Sequence, residues 1–441
     1  MLDLLLHGSN SGDRNKSCRT GAATRRDFMR VGSLAAGALT LPMLLRSRAA
    51  AVESGKPANS KSVVWLWLGG GPTHVETFDP KMSAPSEYRS VTGEESTSIP
   101  GVTIGGTFPQ IAKVAHQMAF VRSFAHTNSG HAGGTHFIMT GYDNRQADNG
   151  GLPGRPSIGS ILSRCRGASH PESGIPTYVR MGNIFADGPS FLGAGYGPFD
   201  QNGQARRNMN LSLDQTRIND RRKLLSDLDR LDRELDRTGT MQGLDKFEQQ
   251  AFSLVFGSAP QAFDLKREDA NTVQRYGKGL GEQLLTARRL CEAGCGFVTI
   301  QYGGWDMHGN IAQAMKQRSP QMDQAVSAFV DDLYKRGQSD NILLVITGEF
   351  GRTPRVNRGA GRDHWAPLSA LALAGGSLKM GQVIGESASK VDVPKSKPIT
   401  PQDLLATIFE VLDIPQKIQF PSNAGRPTFM NERGAPIPEL V

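Results

Sequence analysis

Cysteine is scarce: the chain of 441 residues holds four. Cys18 falls in the leader described below, and the odd set Cys165, Cys291 and Cys295 cannot make a full disulfide framework. Cys291 and Cys295 stand close together at an expected helix end, a spacing open to a zinc pair or a local bridge but better suited to two small buried side chains. Aromatic residues make up only 7% of the chain, and no apolar run reaches the roughly 20 residues of a membrane-spanning helix, which excludes a multi-span membrane protein. With 38% hydrophobic and 21% charged residues a disordered chain is excluded as well. Strong charge of one sign is also missing. Lys and Arg exceed Asp and Glu by eight, but residues 1–51 carry eight of the basic residues against three Asp, leaving +3 for the rest. That is too little for a phosphate-backbone partner, so nucleic acid is not expected. No fixed-period internal repeat is present.

Two features are conspicuous. The first is an export signal. Thr24-Arg25-Arg26-Asp27-Phe28-Met29-Arg30 is a twin-arginine pattern, followed by a largely apolar stretch, Val31 to Leu45, and by Ala49-Ala50-Ala51. The expected organisation is a signal peptide over residues 1–51, a linker over 52–61 and one α/β domain over 62–441, working in the periplasm or outside the cell with no transmembrane segment once the signal is removed. The second is glycine, at 51 residues, which points to many turns and close backbone approaches.

Apolar runs bounded by turn residues read as strands buried on both faces of a sheet: Ser62 to Leu68, Phe297 to Gln301, Ile342 to Thr347 and Leu368 to Ala374. Helical patterns separate them. One is expected over Pro320 to Arg336, capped by Ser319 and ended by Gly337, and another starts at Thr400-Pro401-Gln402-Asp403. Strands alternating with helices at these lengths predict a mostly parallel sheet with helices on both faces. Between about 190 and 290 the character changes to a helical insertion. Its stretch 213–238 pairs Asp with Arg at helical spacing and reads as a solvated cap helix rather than a partner-binding one.

In open α/β sheets ligands bind beyond the carboxyl ends of the strands, so the residues that follow each strand matter most. After the first strand come three glycines, Pro72, Thr73 and His74, with Glu76 and Asp79 close behind. After the strand at Phe297 come Asp306 and His308; after Ile342 to Thr347 come Glu349 and Arg352; Asp363 and His364 precede the next strand. Asp, Glu and neutral His are ligands for zinc, manganese and related divalent ions, and glycine lets backbone and substrate approach them. The candidate metal ligands are thus Asp306, His308, Glu349, Asp363, His364, His136 and His74, with zinc the first choice and manganese or calcium the alternatives. A further segment, His126 to His136, leads into a short helical stretch, Phe137 to Thr140. It offers free backbone amides for an anion, Ser129 or Thr135 as oxygen nucleophiles, and His131 as a general acid. Arg352 or Arg362 would hold the substrate anion.

These motifs carry a resemblance. The twin-arginine start, Gly69 to Lys81, Ser129 to Gly141, Gly304 to His308, Gly348 to Pro354 and Gly361 to Trp365 resemble the exported bacterial family known as domain of unknown function fifteen-oh-one. That family is in turn more distantly similar to the alkaline phosphatase and sulfatase superfamily. The resemblance implies an alkaline-phosphatase-like α/β fold and hydrolysis of phosphate or sulfate esters, on small molecules or glycans, at a metal centre. Three features depart from the superfamily pattern. Gly69 stands where an Asp usually follows the first strand; Glu349 stands where an Asp-His pair usually does; and Ser83-Ala84-Pro85-Ser86 runs into Glu87, not into the Arg of a sulfatase nucleophile motif. The leading expectation is an exported metal-dependent ester hydrolase, and the alternative is a non-catalytic exported binding protein that keeps the fold with a degenerate site.

Overall fold

The computed structural model describes residues 61–203 and 259–441. The signal peptide, nearly all of the linker and the charged stretch 213–238 therefore lie outside the described residues. The centre is an eight-stranded sheet. Its strands are β1 (Ser62–Trp67), β2 (Met118–Val121), β3 (Tyr178–Met181), β4 (Phe199–Asp200), β5 (Phe297–Gln301), β6 (Ile342–Thr347), β7 (Leu371–Gly375) and β8 (Gln382–Ile384). The spatial order is β8-β2-β7-β6-β1-β5-β3-β4. All neighbouring pairs are parallel except the two made by β7, which runs antiparallel to β6 and β2. The sheet is thus mostly parallel, as the alternation of elements predicts, with one reversed strand near its middle.

β1 is buried along its whole length because it has a partner on each edge and helices over each face. Its side chains alternate: Val64 and Leu66 face one core, Val63, Trp65 and Trp67 the other. The first core is closed by α3 (Leu280–Glu292) and α4 (Ile311–Lys335), through Leu284, Leu285, Met322, Val326 and Phe329. The second is closed by α1 (His131–Thr140), α2 (Ile158–Arg166) and α5 (Pro401–Val411), through Ile138, Ile161, Leu162, Leu405 and Ile408. The start of α5 is as read from sequence: Thr400 caps Asp403 N–H, and the Asp403 carboxylate returns to the Thr400 N–H at 2.9 Å.

Three element boundaries differ from the sequence reading. The helix expected from Pro320 begins at Ile311, so Pro320 lies inside α4 and Ser319, far from capping, is buried and receives the Thr107 hydroxyl at 2.9 Å. The reason is that Ile311 and Met315 continue the buried stripe of Met322 and Val326 upstream, and their burial offsets the roughly 3 kcal/mol that an internal proline costs. α1 starts at His131 instead of Phe137, with Gly130 as an extended N-cap. β7 begins at Leu371, not Leu368. Of the stretch from 190 to 290, the described parts are short turns, the edge strand β4 and helices ending in α3, whose Leu284, Leu285 and Leu290 are core residues. Among the described residues no helix is long and apolar enough to cross a membrane.

Candidate metal centre

β1, β2, β5 and β6 are parallel, so their carboxyl ends share one rim, and the antiparallel β7 starts at that same rim. Beyond β5 the chain alternates in and out: Trp305 and Met307 are buried in the core, and this turns Asp306 and His308 outward. Beyond β6, the two-residue ladder of Gly351–Arg352 with His364–Trp365 folds the chain back on itself and brings Asp363 and His364 over Asp306 and His308. From β2 the loop runs into α1, whose first residue is His131.

Three atoms meet at the centre. His308 Nε2 lies 3.0 Å from Asp306 Oδ1, His364 Nε2 lies 3.1 Å from the same oxygen, and the two imidazole nitrogens are 3.1 Å apart. The far side of each ring fixes which nitrogen carries the proton. His364 Nδ1 is 3.0 Å from the Ser129 carbonyl, which can only accept, so Nδ1 donates and Nε2 presents a lone pair. His308 Nδ1 is 2.7 Å from Asp363 Oδ1, while the Arg352 Nη1 donor stands 3.5 Å from Nε2, so here too Nδ1 donates, and this hydrogen bond holds the Asp363 carboxyl below the usual carboxylate range. Burial of Asp306 pushes its carboxyl up, but the hydrogen bond from the Arg352 guanidinium outweighs this, and the carboxyl is held at about 2. Burial lowers His364, keeping its ring neutral near pH 7. Three lone-pair atoms therefore converge; the buried Arg352 guanidinium reaches Asp306 Oδ1 and, at 3.5 Å, His308 Nε2, and a divalent cation would supply positive charge to all three. At metal–ligand distances of about 2.0–2.1 Å, ligand atoms of a tetrahedral ion stand roughly 3.3–3.4 Å apart and those on an octahedral edge roughly 2.9 Å. The observed spacings lie between these, so the residues fit a divalent ion.

His131 borders this triangle. Its Nδ1 lies 2.9 Å from Glu349 Oε1 and its Nε2 3.6 Å from Asp306 Oδ2, and the Glu349 hydrogen bond raises its pKa. His131, Asp306 and His364 form a group whose ligand atoms all lie within 4.8 Å of one another. Glu349 is buried; its Oε1 also accepts the Gly70 N–H at 2.7 Å, and its Oε2 has no hydrogen-bond partner. The glycine loop after β1 thus serves the site through its backbone. Gly70 and Gly71 have φ of +111° and +82°, and a Cβ at Gly70 would stand 2.5 Å from the Asp306 nitrogen.

The other sequence candidates sit elsewhere. His74 is buried with Nε2 on the Val391 carbonyl at 2.9 Å. His136 donates from Nδ1 to the Tyr142 carbonyl and accepts the Gly154 N–H at Nε2, which spends both nitrogens away from the rim. Thr135 donates its hydroxyl to the His131 carbonyl at 2.6 Å, inside α1. Ser129 accepts the Ala366 N–H at 3.0 Å and contributes its carbonyl to His364, a bracing position rather than that of an activated nucleophile. Arg352 is fully buried: its donors reach the carbonyls of Gly70, Gly71 and Arg362, Asp306 Oδ1, and His308 Nε2 at 3.5 Å, so none is left for a substrate anion. Arg362 is likewise buried, paired with Glu76 at 2.9 Å and with the carbonyls of Thr353, Pro354 and Arg89.

Fold and site together define a mostly parallel α/β protein with an imidazole and carboxylate cluster at the carboxyl ends of its strands. The chain belongs to the family described as Protein of unknown function (DUF1501), whose family model matches residues 60–441. No curated protein matches it. Among solved structures it is similar to the PsFucS1 sulfatase from Pseudoalteromonas sp., at 13% identity over 86% of this chain and 72% of that one, with a TM-score of 0.39. It is also similar to the lipoteichoic acid synthase LtaP from Listeria monocytogenes, at 8% identity over 81% and 73% with a TM-score of 0.36. A third is a TAB5 alkaline phosphatase mutant, at 13% identity over 80% and 98% with a TM-score of 0.35.

Proposed function

We propose that the chain is a metal-dependent hydrolase of phosphate or sulfate esters, acting outside the cytoplasm on small-molecule or glycan esters. The observation that carries this is the triangle of Asp306 Oδ1, His308 Nε2 and His364 Nε2, three lone-pair donors 3.0–3.1 Å apart with their outer partners in place. These three residues would hold the ion, with His131 beside them. Two imidazoles and a carboxylate favour zinc or manganese over calcium, which takes oxygen ligands. Bound there, a divalent cation supplies positive charge to offset that on an ester's oxygens. Asp363 and the Ser129 carbonyl orient the two imidazoles, and His131, supported by the buried Glu349, holds a proton at the edge of the site. Because the hydroxyls of Ser129 and Thr135 are tied to backbone partners, a water molecule is the better nucleophile.

The test is elemental analysis and zinc or manganese titration of the purified chain, followed by hydrolysis assays on an aryl phosphate and an aryl sulfate. Binding of about one equivalent, and hydrolysis lost on chelation, are expected. A chain with no affinity for either ion overturns the reading. Gly69, which leaves the end of β1 without an acid, favours the second reading, a binding protein that keeps the fold. Metal uptake without hydrolysis of either ester decides for it.

A further inference from the structure

Asn357 lies on the loop between the ladder strands and touches none of the three central atoms, yet its amide is used completely. Its Nδ2 donates to the His308 carbonyl at 3.0 Å and to Asp363 Oδ1 at 3.2 Å. Its Oδ1 accepts the N–H groups of Gly359 at 2.9 Å and Gly361 at 3.0 Å. The orientation of the amide is unambiguous, because a carbonyl can only accept and a backbone N–H can only donate. Gly361 comes so close to His308 that a Cβ there would stand 2.1 Å from the His308 carbonyl carbon. One side chain therefore fixes the loop against the His308 backbone and, at the same time, fixes the carboxylate that orients the His308 ring.

We propose that Asn357 is a positioning residue that holds His308 as the Nδ1–H tautomer, with the Nε2 lone pair aimed at Asp306 and His364, by anchoring Asp363. The chain of contacts runs from Asn357 Nδ2 to Asp363 Oδ1 and from there, at 2.7 Å, to His308 Nδ1. Asp363 is half-exposed, so without Asn357 it is free to turn toward water, and an imidazole with no acceptor at Nδ1 reverts to a mixture of tautomers. This deepens the proposed function, since it concerns the same site, but the tautomer can be read with no metal and no substrate present.

Two variants separate the two halves of the amide. Asn357→Ala removes both. Asn357→Asp keeps the acceptors for Gly359 and Gly361 and removes the donors to Asp363 and the His308 carbonyl. The first measurement is long-range nitrogen–proton NMR of the metal-free full chain labelled at histidine, which reports the protonated nitrogen of each ring; the second is titration of Asn357→Ala with zinc alone. The His308 signal should move from the Nδ1–H pattern toward a mixture in both variants while His364, held by Ser129, stays unchanged. Zinc affinity of Asn357→Ala should fall about 10- to 100-fold, the range for lost outer partners of metal-bound histidine. An unchanged His308 tautomer in Asn357→Asp overturns the proposal and leaves Asn357 as a loop brace only, whatever Asn357→Ala does. Shifted tautomers in a chain that hydrolyses no ester sustain the proposal while removing the hydrolase reading.

Discussion

A methyl group at Gly71 has nowhere to go. Its φ of +82° disfavours any side chain, and a Cβ would lie 2.3 Å from the Phe350 ring. Gly71→Ala should therefore destabilise the chain by about 2 kcal/mol or more, measured by urea unfolding; a change within about 0.5 kcal/mol contradicts the tight loop. Asp306→Asn acts on the site instead. It removes the one carboxylate facing both imidazoles, so zinc affinity should drop about 100-fold or more in a titration, and retained affinity removes Asp306 from the ligand set. His126 gives a pH signature. It is buried, with its ring edge-on to Phe137, and burial lowers its pKa from 6.5 to about 4. The unfolded chain takes up this proton first on acidification, so the stability tied to neutral His126 is complete above pH 6.5 and is lost as pH falls toward about 4, by up to about 3 kcal/mol. Denaturation curves of the wild type and His126→Gln should converge across that window; a constant difference contradicts it. The side-chain directions that decide such matters were only partly legible in the sequence. Asp306-Met307-His308 could be read because apolar neighbours alternate with polar residues after a strand. His131 and His136 could not be separated by residue type: five positions on a helix turn the side chain by about 140° net, sending one ring to the rim and the other to Tyr142. Arg352 and Arg362 read as anion holders because the carbonyls that occupy them have no sequence signal. Asn357 did have one, an Asn followed by Gly359 and Gly361, the pattern of a side chain capping its own turn.

At the scale of elements, four of the eight strands, β1, β5, β6 and β7, were legible because continuous apolar runs bounded by turn residues leave few other readings. β2, β3, β4 and β8, of two to four residues, are too short to show such a run, and the reversal of β7 was not legible, since a fully buried strand looks the same in either direction. α4 shows a different limit. Proline reads as a helix start, yet here the buried stripe continues through Ile311 and Met315 on its amino-terminal side. Pro320 is exposed, so replacing it costs no packing and restores an N–H to the helix. Pro320→Ala should stabilise the chain by about 1–2 kcal/mol, the helix gain less the lost rigidity of the unfolded chain. A lower unfolding midpoint contradicts that account.

For the whole molecule, the export expectation rests on the amino-terminal segment, in which the paired arginines precede the apolar stretch Val31 to Leu45. Exchanging Arg25 and Arg26 for Lys should leave precursor in the cytoplasm, detected by cell fractionation; normal export of the double variant removes the twin-arginine reading. The antiparallel β7 has its own consequence. Because Thr347 of β6 pairs with Leu371 of β7, residues 348–370 form one hairpin excursion that leaves the sheet and returns beside its point of departure. Glu349, Arg352, Asn357, Asp363 and His364 all lie on it, whereas Asp306, His308 and His131 reach the rim from other strands. Loop closure of that kind carries a small entropic cost that grows slowly with length. The excursion can therefore lengthen, shorten or be exchanged for another without shifting the register of any strand, so that half of the site is open to change over evolutionary time while the other half stays fixed to the framework.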